Sequence, residues 1–115
     1  MDRVEFNKNI LLLKSVNSEE YETGFHSLTT KVDEVLDWLI ELEAKETNDE
    51  VKSRFIELIG ESSNPKAIDI IISALSNSHN KVRMWAYSSL KYSEISECNE
   101  LAEKFEKNNP NEPFL

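Results

Sequence analysis

Asn80-Lys81-Val82-Arg83-Met84-Trp85-Ala86-Tyr87-Ser88-Ser89-Leu90 decides the fold, because its apolar positions recur earlier in the chain. A shift of about 31 residues lays Val82, Ala86 and Leu90 over Val51, Phe55 and Ile59, and a second step places Leu28 beneath Ile59. The preceding segments agree at one residue more: Val35-Leu36-Asp37-Trp38-Leu39-Ile40 lies over Ala67-Ile68-Asp69-Ile70-Ile71-Ile72. A fixed period of this length means that each unit buries its apolar face only by stacking on its neighbours.

Working outward, Thr30 to Glu46 reads as a helix. Val32, Val35, Leu36, Leu39 and Ile40 recur every three or four residues, and acids fill the opposite face. Thr30 with Asp33, and Thr47 with Glu50, match reciprocal capping spacing, so two helices are expected to abut there. The second runs to Gly60, where a left-handed residue is expected to end it. Asn64 caps a third helix with Pro65 at its first position. The fourth ends near Ser93 and a fifth begins near Ser96. Asn108, Asn109, Pro110 and Pro113 stop the last helix, and Phe114 and Leu115 can fold back onto it. Before Thr30, Phe6, Ile10 and Leu13 suggest one helix, and Asn17 with Glu20 the cap of another, which Gly24 weakens.

The segment from Asn80 to Leu90 resembles the second helix of a HEAT repeat: Val-Arg, then Ala, then a small residue and Leu. Asp49-Glu50-Val51-Lys52 repeats it more loosely, with Lys52 where the pattern has arginine and Asn80 where an acid is common. Armadillo and other helical-pair repeats are similar. The resemblance implies an all-α, short right-handed α-solenoid of about three antiparallel helical hairpins. One domain over residues 1–115 is expected: a degenerate hairpin at 1–29, hairpins at 30–60 and 64–93, a capping helix at 96–107 and a tail at 108–115.

Composition narrows the function. The formal charge is −9, which opposes attraction to a nucleic-acid backbone and favours a basic partner. Cys98 is the lone cysteine, so neither an intramolecular disulfide nor a multi-cysteine zinc site can form, and a reducing, cytoplasmic setting is expected. The apolar run from Ile10 to Leu13 is too short for a signal peptide or membrane span. His26 and His79 lack metal-ligand spacing, and two isolated glycines cannot build a phosphate loop. Glu97 and Glu100 beside Cys98 favour its neutral thiol. No catalytic residue, metal or cofactor is expected.

Two binding surfaces are expected instead. One is the acidic stripe of Asp33, Glu34, Asp37 and Glu41, which meets no positive residue in sequence until Lys45 and can steer a basic protein. The other is a ladder of Phe25, Ile56 and Tyr87 at the repeat spacing, with Arg83, Met84 and Lys91 flanking Tyr87. Packing against a neighbouring repeat is the competing reading of that ladder. The leading functional expectation is a protein-protein interaction module, and within it an acidic inhibitor such as an immunity protein neutralising a nuclease toxin. One alternative is nucleic-acid binding like that of HEAT-like alkylpurine glycosylases, which would need Lys52, Arg54, Arg83 and Lys91 along one groove. The other is assembly through an uncovered end of the stack.

Overall fold

Four of the seven helices start where a short polar side chain takes up an orphan amide proton, and the positions differ in part from those the sequence suggests. A computed structural model describes residues 1–115 as seven helices without strands. α1 (Arg3–Leu13) begins at Asp2, whose carboxylate accepts from the Glu5 amide, and α2 (Ser18–Thr29) begins at Asn17, which accepts from Glu20. α3 (Val32–Lys45) has no side-chain cap. Thr30, expected to open it, instead closes α2 by donating its hydroxyl to the Ser27 carbonyl. α4 (Asp49–Ile59) is capped by Asn48 rather than Thr47, because the Asn48 side chain accepts from Val51 at 3.1 Å. α5 (Pro65–Ala74) starts as expected, with Asn64 as cap and proline at its head. α6 (Asn80–Lys91) and α7 (Ser96–Asn108) complete the chain.

Consecutive helices pack as pairs and the pairs stack. α2, α4 and α6 pack in one row, α3 packs on α5 in a second, α1 lies against α2, and α7 against α6. The buried side chains form one continuous cluster from Phe6 to Phe105, which includes Leu28, Phe55, Ile59, Val82, Ala86 and Leu90. These are the residues that recur at the 31-residue spacing, so the repeat in sequence is the repeat of the core. The result is a short helical solenoid of 43 × 26 × 23 Å.

Basic side chains of α4 and α6 satisfy the carbonyls that helix ends leave open. Lys52 donates to the Glu43 carbonyl at 2.8 Å, and Arg83 to the Asn77 and Ser78 carbonyls at 3.0 Å. Lysine therefore does in one repeat what arginine does in the next. Arg54 reaches back to the Leu13 and Ser15 carbonyls at 2.7 and 2.8 Å, tying α1 to α4. Between repeats, Lys81 grips both oxygens of Glu50 at 2.7 and 3.0 Å.

The two glycines act through their missing side chains. Gly60 has φ −62°, so it is right-handed and not the left-handed terminator expected. A Cβ there would sit 2.9 Å from the Ser89 Cβ, closer than carbon atoms pack, and glycine is what lets α4 and α6 touch. Gly24 lies inside α2, where a Cβ would meet the Asn9 carbonyl oxygen and the Leu13 nitrogen at 2.7 Å. Its cost in helix propensity is offset by close packing of α1 on α2.

Candidate interaction surfaces

Every carboxylate of the expected acidic stripe has a partner. Asp33 accepts from the Ser62 hydroxyl at 2.6 Å, Glu34 pairs with the Met1 amine, Asp37 with Lys66 at 3.4 Å, and Glu41 with Lys45 at 3.1 Å. The amine holds the Glu34 carboxyl below the usual range. Three of these partners lie outside α3, where a reading of one helical face does not place them, and the fourth, Lys45, lies one turn on. Three of the four carboxylates thus have a cation beside them, and Asp33 has a hydroxyl, not a cation, as its partner.

The Phe25, Ile56, Tyr87 ladder forms but is covered. Ile56 is 0 % exposed, Tyr87 is 7 % exposed, and Phe25 is half-buried with its ring 5.9 Å from Tyr21. α4 has helices on both sides in its own row and α3 and α5 behind it, so the flank that a single-helix projection leaves open is sealed. Ile56 is core and cannot touch a partner.

The residues flanking Tyr87 do converge. Arg83, Met84, Tyr87 and Lys91 lie along one side of α6, where the segment after α7 folds over them. Arg83 holds Glu112 through two parallel hydrogen bonds of 2.6 and 2.7 Å, and the guanidinium keeps the Glu112 carboxyl below the usual range. Phe114 lies 5.8 Å from Tyr87 and 6.2 Å from Phe105, stacked on the latter at 10°. The Tyr87 hydroxyl donates to Glu106, and Lys91 lies 5.5 Å over the Tyr87 ring and 3.5 Å from Glu106. All four basic residues that a nucleic-acid groove would need are thus engaged within the chain: Lys52 with Glu43, Arg54 with the end of α1, Arg83 with Glu112 and Lys91 with Glu106.

A different surface stands out once the helices are assembled. The ends of α4 and α6 and the starts of α5 and α7 enclose an open groove of about 540 Å³. Its lining mixes five serines with apolar side chains, among them Ile68, Ile71, Ile95 and the buried thiol of Cys98, together with Trp85 and the 78 % exposed Tyr92. Glu57, Glu61 and Glu94 supply its charge, no lysine or arginine lines it, and none of the three forms an ion pair.

Glu57 is half-buried. Burial pushes its carboxyl above the usual range, a hydrogen bond from the Tyr21 hydroxyl at 3.1 Å opposes the shift, and the charge of Glu61 adds to it. The Tyr21 phenol is pushed up to about 12, by burial first and then by Glu57. One signal for this groove was present in the sequence. Glu57 and Glu61 are like charges four apart at the C-terminal end of α4, where the helix dipole disfavours anions by about 0.3–1 kcal/mol. Trp85, Tyr92 and Glu94 join them only through folding.

No group of three or more His, Cys, Asp or Glu side chains is placed to hold a metal ion, and no helix is long and apolar enough to cross a membrane. No curated protein and no solved structure matches the chain. The family model for HEAT repeats matches residues 36–106, from the first turns of α3 through most of α7. With the stacked helical pairs and the recurring core positions, that match over more than half of its length shows that the chain belongs to the HEAT-repeat family.

Proposed function

We propose that the chain is a non-catalytic protein-interaction module that takes a cationic, partly apolar segment of a partner protein in the groove between α4 and α6. The observation that carries this reading is the contrast between the two sets of acids. Those on α3 are each partnered within the chain, whereas Glu57, Glu61 and Glu94 line a partly apolar groove without forming an ion pair, Lys81 and Arg54 acting on Glu57 only from outside the lining. A lysine or arginine entering the groove would relieve the Glu57–Glu61 repulsion while its stem and neighbours cover Ile68 and Ile95. Long-range attraction by a chain of charge −9 would speed the encounter. An inhibitor masking the basic surface of an enzyme, such as a nuclease toxin, would use the groove in this way.

Selection of displayed random peptides on the immobilised chain tests this. Lysine or arginine next to apolar residues should be enriched, and the enrichment should vanish on the folded E57Q/E61Q/E94Q variant. Selection of peptides without basic residues, or an unchanged outcome on the variant, would reject the groove.

A second reading, assembly by end-to-end stacking, draws on Val4 and Leu11, which are 81 % and 73 % exposed and seven apart on the outer side of α1. Sedimentation of wild type against V4E/L11E separates it: self-association lost in the variant would support assembly, and a monomer throughout would dismiss it.

A further inference from the structure

The segment from Asn109 to Leu115 is held on the body of the protein by very little. Its backbone hydrogen bonds are its own turns, Glu112 to Asn109 and Leu115 to Glu112, and none reaches the backbone of α6 or α7. Asn109 donates to the Phe105 carbonyl at its root. Beyond that, two side chains anchor it: the Glu112 carboxylate in the fork of Arg83, and the Phe114 ring against Tyr87 and Phe105. Phe114 remains partly exposed and Leu115 is 48 % exposed. Beside the segment lies an open space of about 600 Å³, lined by Met84, Tyr87, Ser88, Lys91 and the segment itself, which the segment does not fill.

We propose that this surface of α6 and α7 is a docking site for an extended partner segment carrying a carboxylate two residues before an aromatic ring, and that Asn109–Leu115 occupies it in cis as a displaceable latch. The chemistry follows from what already sits there. A planar guanidinium selects a carboxylate by two parallel bonds, and the Tyr87–Phe105 pair offers a face for one ring. Lys91 and Glu106, paired with each other beside the unfilled space, offer a longer ligand polar contacts of both signs. Because the latch is tethered a few residues from α7, its local concentration is in the millimolar range, and a partner segment binds with an affinity scaled down in proportion to the open fraction. The surface adjoins the acidic groove, sharing Ser88 and Tyr92 with it, but its anchors Arg83 and Phe105 lie outside that groove and it has the opposite charge preference, so it stands whether or not a basic segment binds there.

The probe is a fluorescent peptide with the sequence of residues 109–115, titrated by polarisation into wild type and into E112A/F114A, both shown folded by circular dichroism. The unlatched variant should bind it at least about tenfold more tightly than wild type. Adding R83A to the unlatched variant should undo the gain, and E57Q/E61Q/E94Q should leave it unchanged. No binding to the folded unlatched variant, or equal binding to both proteins, would overturn the proposal. A wild-type dimer that dissociates on E112A/F114A substitution would also overturn it, by showing that the occupant is the same segment of a second copy.

Discussion

Gly60→Ala is the substitution for which helix propensity and packing predict opposite outcomes. Gly60 has right-handed dihedrals, so alanine can adopt its backbone, and by propensity alone the change should stabilise by up to about 1 kcal/mol. The packing reading predicts the reverse. An added Cβ meets both side-chain atoms of Ser89; rotation of the serine can remove its hydroxyl, but its Cβ stays 2.9 Å away. α4 and α6 must then separate by several tenths of an ångström along the contact that joins two repeats. Overpacking of this kind costs about 1–3 kcal/mol, so a net loss of about 1–2 kcal/mol is expected, or roughly 4–8 °C in Tm for a chain of this size. Thermal and urea melts of wild type, G60A, S89G and the double variant close the cycle. S89G alone should cost about 1 kcal/mol through helix propensity, and the double variant should be no less stable than S89G, a coupling of about 1–2 kcal/mol. A G60A protein more stable than wild type, with no coupling to Ser89, would refute the close-approach reading.

Glu57→Gln should stabilise the free protein while weakening capture of a basic segment. The raised Glu57 carboxyl makes the folded state hold its proton longer than the unfolded chain, so the penalty is absent below the unfolded value and complete above the raised folded one. The stability gap between variant and wild type, read from urea midpoints, should therefore open as pH rises from about 4 to 7; a gap that closes over that range would contradict the assignment. Arg54→Ala should cost about 2 kcal/mol, because two carbonyls at the end of α1 lose a charged donor and Tyr21 loses a guanidinium 4.4 Å over its ring. A urea midpoint within error of wild type would show that this link carries no stability. Glu112 behaves oppositely to Glu57: its carboxyl is lowered by Arg83, so the latch holds at neutral pH and weakens as pH falls through the folded value. Ring resonances of Phe114 should move toward free-peptide positions only in acid, and R83A should show them released at pH 7.

The elements from Asn48 onward were legible because their signals are local. Asn64 and Pro65 act within a turn of their own positions, the Thr47–Glu50 spacing points only one residue away from the true cap Asn48, and the spacing of Val51, Phe55 and Ile59 against Val82, Ala86 and Leu90 survives in any single copy of the sequence. Thr30 misleads because a hydroxyl can cap forwards or close the preceding helix, and the choice depends on how α2 meets α3. The glycines looked like terminators or weak points, since the constraint on each comes from residues on another helix: Ser89 for Gly60, Asn9 and Leu13 for Gly24. The surroundings of the expected site residues were hidden for the same reason. Ile56 faces outward on an isolated helix and inward in a stack, and the partners of Asp33 and Asp37 are 29 residues further along the chain. The groove draws on four helices, and only the uncompensated Glu57–Glu61 pair hinted at it.

The two tryptophans provide the most direct test of the groove. Trp85 lines it, whereas Trp38 packs 5.1 Å from Phe6 beneath the Arg3 guanidinium and takes no part in the lining. Each indole N–H gives its own cross-peak in a 15N-labelled sample, so one titration with a basic, partly apolar peptide selected on the chain carries its own control. The account predicts that the Trp85 signal shifts and saturates with the peptide while the Trp38 signal stays, and that both stay in E57Q/E61Q/E94Q. Saturable binding that moves Trp38, or leaves Trp85 unmoved, would contradict it.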